Sequence, residues 1–117
     1  MKLGAIYRRE QCVVPRVWNA LSLWERTRGL LGRPPLQAGE GMLIADCRLV
    51  HTFGMRYRLD LAFLDGHGRV RKTVAALAPA RLAGSLPAQA TLELAPGTLA
   101  RIGLREGDCL SWREIGA

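Results

Sequence analysis

The segment Tyr57–Phe63, which reads YRLDLAF, decides the fold class of this chain. Its large apolar residues stand at every second position, with charged or small residues between them. Successive side chains of a strand point to opposite faces, so this period of two predicts a half-buried β-strand. Asp65-Gly66-His67-Gly68 is typical of a turn, and the apolar residues Val70 and Val74 then predict a returning strand.

Other short apolar segments lie on both sides of this hairpin. They predict strands over residues 2–9, 12–18, 42–44 and 92–94 and a last strand that ends at Trp112. Pro96-Gly97 predicts a turn or a single helical turn that reaches Ile102. About seven or eight short strands separated by turns are typical of a mainly β fold, either a β-barrel or a jelly-roll-like sandwich.

One short α-helix is predicted near residues 22–32. Ser22 and Glu25 match the capping-box pattern, in which each side chain binds a backbone N–H at the start of the helix. Gly32 and the pair Pro34-Pro35 then predict its end.

Length and composition favour one globular domain over residues 1–117. The chain has 117 residues, 49% of them hydrophobic and 23% charged, which is enough to bury a core. No apolar run approaches the roughly 20 residues of a membrane span, and the first ten residues lack the core of an export signal. We therefore expect a cytoplasmic protein without a membrane span.

The net charge of +7 raises the question of nucleic-acid binding. The basic residues are scattered along the chain, however, and aromatic residues, which stack on bases in single-strand binders, make up only 6%. These two observations argue against nucleic acid as a partner.

The spacing Cys47-x3-His51-x3-Met55 places three soft metal ligands close together in sequence. A blue-copper centre needs a second histidine, and the only other one, His67, lies downstream in a predicted turn. The other two cysteines, Cys12 and Cys109, form no C-x-x-C pair of the kind that holds structural zinc. The sequence therefore predicts no metal and no cofactor.

Four polar residues lie within ten positions of one another: His51, Thr52, Arg56 and Asp60. They could form the rim of a ligand site, with Arg56 as the anchor for an anion and Asp60 as its orienting partner. They could equally form a hydrogen-bond network that fixes the register of the strand. The sequence leaves both interpretations open.

Five stretches of the sequence resemble one family when they are taken together. They are RTRGLLGR (26–33), GMLI (41–44), VHTFGMRYRLDLAFLD (50–65), LELAPG (92–97) and GLREGD (103–108). In order and spacing they resemble the domain of unknown function 192 family of small bacterial and archaeal proteins. Cys47 and the run His51–Arg56 resemble a variant branch with the pattern C-x3-H-T-F-G-M-R. The resemblance implies a small β-barrel or jelly-roll-like sandwich with one short helix, and it implies no particular reaction.

Residues and resemblance together predict a small, non-enzymatic binding or accessory module. Its partner would be a small polar or anionic ligand, or another protein. The alternative is a small enzyme that uses Cys47 or His51 in nucleophilic or acid–base chemistry. On an extended strand these two residues would lie about 13 Å apart, so only a tight turn could pair them.

Overall fold

The computed structural model describes residues 1–20, 22, 30 and 32–115, and this part of the chain is built mainly from β-strands. The strands are β1 (Lys2–Arg8), β2 (Gln11–Ala20), β3 (Glu40–Ala45), β4 (Leu49–His51), β5 (Leu59–Leu64), β6 (Val70–Leu77), β7 (Leu82–Gly84), β8 (Ala90–Leu94) and β9 (Leu110–Glu114), and the helix α1 spans Thr98–Ile102. The mainly β prediction is confirmed, with nine strands instead of seven or eight. Most of the helix predicted near residues 22–32 lies outside the described residues.

Seven strands form one large sheet in the order β6-β5-β8-β3-β2-β1-β9. All its neighbouring strands are antiparallel except β2 and β3, which run parallel. An isolated bridge between Arg69 and Cys109 links the start of β6 to the start of β9. Beside this bridge, the Leu110 amide donates to the Gly68 carbonyl at 2.8 Å. The two outermost strands therefore meet at one end of the sheet.

The strands β4 and β7 form a second sheet that covers part of the large one. Val50 of β4 is buried in the same hydrophobic cluster as Leu61 and Phe63 of β5, and Ala83 of β7 packs against that cluster. The result resembles a sandwich, which is one of the two architectures that the sequence predicted.

The strand β5 lies between two hydrophobic cores and is buried at all six positions. Ala62 and Leu64 belong to one core, whereas Leu59, Leu61 and Phe63 belong to the other. The prediction that this strand is half-buried was therefore wrong. The alternation distributes the side chains between two cores because the small sheet covers the second face.

Gly4 in β1 leaves room for the indole ring of Trp112, whose Nε1 donates to the Val17 carbonyl at 2.9 Å. A Cβ atom on Gly4 would lie 2.6 Å from Cζ2 of Trp112 and 2.5 Å from the Arg113 carbonyl oxygen. We expect Gly4→Ala to lower the free energy of unfolding by about 1–3 kcal/mol, because the ring and the strand would have to move apart. Urea unfolding measures this loss. Ser111→Ala, at an exposed position of β9, should stay close to the parent. Equal midpoints for Gly4→Ala and the parent would contradict the close packing.

Candidate functional site

A cleft of about 380 Å³ opens beside the turn that follows β4. Met55, Arg56 and Tyr57 line it from this turn, and Leu30, Arg33 and Pro35 line it from the segment before β3. Leu30 is buried, Arg33 and Tyr57 are half-buried, and Arg56 is exposed. The cleft thus combines apolar walls with two guanidinium groups.

Thr52 fixes the turn that carries the cleft residues. Its hydroxyl donates to the Ala78 carbonyl at 2.7 Å and accepts the Arg81 amide at 2.9 Å. Its own amide donates to the Arg81 carbonyl at 2.9 Å, and its carbonyl accepts the amides of Met55 and Ala80. Because Thr52 is fully buried, these bonds hold the turn against the segment before β7.

Asp60 is buried in β5 and accepts two backbone N–H groups. One carboxylate oxygen accepts the Ala76 amide at 2.8 Å, and the other accepts the Leu99 amide at 3.0 Å. Ala76 has a φ of 51°, and the register between β5 and β6 shifts close to this residue. Leu99 is in the first turn of α1, where N–H groups lack a partner within the helix. Asp60 therefore joins an irregular point of β6 to the start of α1.

Glu93 is a second buried carboxyl group, on β8 between Met42 of β3 and Leu61 of β5. Burial raises its pKa to about 7. Burial, and then the charge of Glu93, also raise the pKa of Tyr57. The Tyr57 hydroxyl is buried and has no hydrogen-bond partner among the described residues. A titratable carboxyl group thus interacts with the phenol of a cleft residue that has no hydrogen-bond partner among the described residues.

Comparison with known proteins places this fold in a family. The model of the family described as Uncharacterized ACR, COG1430 (DUF192), matches residues 6–112. The chain belongs to the DUF192 family. The resemblance drawn from the five sequence stretches is thereby confirmed.

Two solved structures share the DUF192 fold of this chain. A protein of unknown function from Novosphingobium aromaticivorans DSM 12444 is 26% identical, with a TM-score of 0.79 over 94% of this chain and 84% of that chain. A protein from Sinorhizobium meliloti 1021, described as a "putative transcription regulator", is 24% identical, with a TM-score of 0.79 over 95% of this chain and 92% of that chain. At that identity the second likeness shows the fold alone. No curated protein matches the chain.

The four polar residues predicted from the sequence divide into two pairs in this DUF192 protein. Thr52 and Asp60 are buried and bind backbone groups, as the network interpretation expects. His51 and Arg56 are exposed. The His51 ring stacks on Phe53 with centroids 5.7 Å apart, and Arg56 lines the cleft.

The cysteine–histidine pair of the alternative enzyme hypothesis has no direct bond in the described part of the DUF192 chain. The Cys47 thiol contacts the Leu49 carbonyl at 3.4 Å, and the His51 ring faces Phe53. Within residues 1–20, 22, 30 and 32–115, no three His, Cys, Asp or Glu side chains are grouped so that they could hold a metal ion. In the same residues, no helix is both long enough and apolar enough to cross a membrane.

Tyr57 went unrecognised as a site residue at the sequence level, whereas Glu93 stood out there as a strand carboxyl that could pair with Asp60 in acid–base chemistry. Tyr57 appeared as one apolar position of an alternating strand, but it precedes β5 and lines the cleft. Glu93 gave a usable signal, since a carboxyl between Leu92 and Leu94 in an apolar strand is costly to bury and calls for an explanation.

Proposed function

We propose that this DUF192 protein is a small binding module that takes a small anionic ligand in the cleft, with Arg56 as the anchor. The observation that carries the proposal is the position of Arg56 on a cleft that also contains a second arginine and the Tyr57 ring. Guanidinium groups bind carboxylates and phosphates in two-pronged geometry. The volume lies near the lower end of the range for small-molecule sites, which favours a small ligand.

The bonding state of Arg56 supports an anchoring role. Its side chain is exposed and makes no hydrogen bond or ion pair with another described residue. By contrast, the neighbouring Arg58 donates to the Ala76 carbonyl at 3.0 Å and does not line the cleft. Of these two arginines, Arg56 is the one available to a ligand.

The surroundings of Arg56 also favour an anion. The Glu93 carboxyl interacts with Tyr57 and has a pKa of about 7, so it opposes an anion least below pH 7, where it is mostly protonated. The Tyr57 hydroxyl is buried and lacks a hydrogen-bond partner among the described residues, so it is a donor that a ligand oxygen could satisfy. Thr52 fixes the turn that carries Met55, Arg56 and Tyr57, which reduces the ordering needed on binding. His51 is exposed and does not line the cleft, so only a ligand that extends beyond the cleft could contact it.

The test is a thermal-shift screen with small carboxylates, phosphates and sulfonates, followed by calorimetric titration of each hit. We expect Arg56→Ala to weaken binding at least tenfold, because the loss of a charge-assisted contact costs about 1.5–3 kcal/mol. The matched control is Arg58→Ala, which removes the same charge two residues away and should bind within twofold of the parent. Equal loss in both variants would point to general charge attraction and contradict the role of Arg56 as the anchor. A screen in which none of the tested anions binds would also contradict the proposal.

A further inference from the structure

The outer face of the small sheet exposes large apolar side chains. Along β4 and β7 the inward residues Val50 and Ala83 pack on the core, whereas Leu49 and Leu82 are 63% and 60% exposed. Phe53 and Leu86, in the loops that follow the two strands, are 52% and 88% exposed. We call Leu49, His51, Phe53, Leu82 and Leu86 the β4–β7 patch. It contains four of the six large apolar side chains that are exposed in the described residues.

The strand register makes the β4–β7 patch one surface. Leu49 pairs with Gly84, and a Cβ atom on Gly84 would lie 3.2 Å from Cδ1 of Leu49, so the leucine side chain lies across this glycine. His51 pairs with Leu82 and its ring stacks on Phe53. Grouped exposed apolar side chains of this kind mark interaction sites, whereas isolated ones are common on any surface.

The charge around the β4–β7 patch is mainly positive, with the exposed Asp46, which lines a pocket with Arg48 and Leu49, as an acidic exception. Residues 47–59 and 66–92 contain seven arginines and lysines and no aspartate or glutamate. Arg48 and Arg81 flank the two strands, and Lys72 donates to the Gly84 carbonyl at 2.8 Å, which places its ammonium group at the edge of β7. The patch is therefore an apolar surface with a basic border.

We propose that the β4–β7 patch docks a segment of a partner protein in which apolar side chains stand among aspartates and glutamates. Such a segment complements both the apolar centre and the basic border. A second copy of this chain fits poorly, because two basic borders would face each other and the chain carries a net charge of +7. An anionic membrane would also suit this charge, so vesicle binding is an outcome of the experiment that would contradict a protein partner. This surface is separate from the ligand role proposed for the cleft.

The experiment selects peptides on the immobilised parent protein from a random 12-residue phage library and measures the affinity of the selected synthetic peptides. We expect enrichment of peptides that mix Leu, Ile or Phe with Asp or Glu. Binding should fall at least tenfold in Leu82→Asp/Leu86→Asp, a pair exposed enough to keep the fold, and at least fivefold when NaCl rises from 50 to 500 mM. Arg48→Glu/Arg81→Glu should weaken the same peptides, and melting curves verify that each variant is folded.

The matched control is Ile115→Asp, which alters an exposed apolar residue outside the β4–β7 patch and should leave peptide binding unchanged. The proposal would be overturned by no enrichment of acidic apolar peptides, by selected peptides that bind Leu82→Asp/Leu86→Asp as well as the parent, or by a patch that instead binds vesicles of phosphatidylcholine and phosphatidylserine. A patch-dependent dimer in sedimentation experiments, without peptide binding, would equally overturn it.

Discussion

Asp60→Asn is expected to lower the free energy of unfolding by roughly 2–5 kcal/mol, a larger loss than the one expected for Gly4→Ala. The parent carboxylate accepts the amides of Ala76 and Leu99 with its two oxygens. Asparagine keeps one acceptor and turns an NH2 group towards the other amide. One donor is then left without a partner, next to a second donor, at a side chain that is only 1% exposed.

The control for this substitution is Asp65→Asn in the surface turn between β5 and β6. The Asp65 carboxyl also accepts two backbone amides, from His67 and Arg69, but solvent can replace those bonds. Urea midpoints of the two variants should therefore differ clearly, with Asp60→Asn the less stable. A variant of Asp60 that unfolds at the parent midpoint, and that loses only ligand binding, would instead make Asp60 a ligand-contacting residue of the cleft region.

Glu93→Gln is expected to stabilise the protein above pH 7, by up to about 3 kcal/mol. Burial raises the pKa of Glu93 from its usual 4.5 to about 7, so the folded state holds the proton more tightly than the unfolded state. The stabilising contribution of that proton is complete below pH 4.5. It is lost as the pH rises from about 4.5 to about 7, and above this range the buried charge is a constant cost. Glutamine resembles the protonated carboxyl in shape and carries no charge to bury.

The measurement is urea unfolding of parent and variant between pH 4 and pH 9. The two stabilities should agree near pH 4.5 and separate as the pH rises, with the variant more stable. The exposed Glu106→Gln provides the control and should follow the parent at every pH. If Glu93→Gln is instead less stable than the parent at pH 8, the carboxylate is held by a positive charge and burial does not govern its titration.

Sequence patterns predicted the strands of the large sheet well because those strands are long and apolar. Residues 2–9 and 12–18 correspond to β1 and β2, and the predicted turn at Pro96-Gly97 leads into α1. The strands β4 and β7 were missed, since three residues are too few to show a period. Arg58 and Asp60 have the same alternating position in sequence, yet one is exposed and the other buried. A period of two assigns a face to each residue, but it does not say whether another layer covers that face.

The candidate site was less predictable, because it depends on contacts between distant segments. Arg56 was identified from its neighbours in sequence, whereas the cleft also requires Arg33 and Leu30, more than twenty positions away. The roles of Thr52 and Asp60 depend on the backbone of residues 76–81 and 99, which no local pattern reveals.

The junction of β6 with β9 also bears on how this protein avoids aggregation. An outermost strand offers unpaired N–H and C=O groups to other molecules and so serves as a template for intermolecular sheets. Here the bonds around Arg69 and Cys109 cover part of both outer strands, and the charged side chains of Arg71 and Lys72 stand exposed along β6. Transient opening of this one junction would uncover both edges at once, so intermolecular strand pairing would start there and not in the buried middle of the sheet.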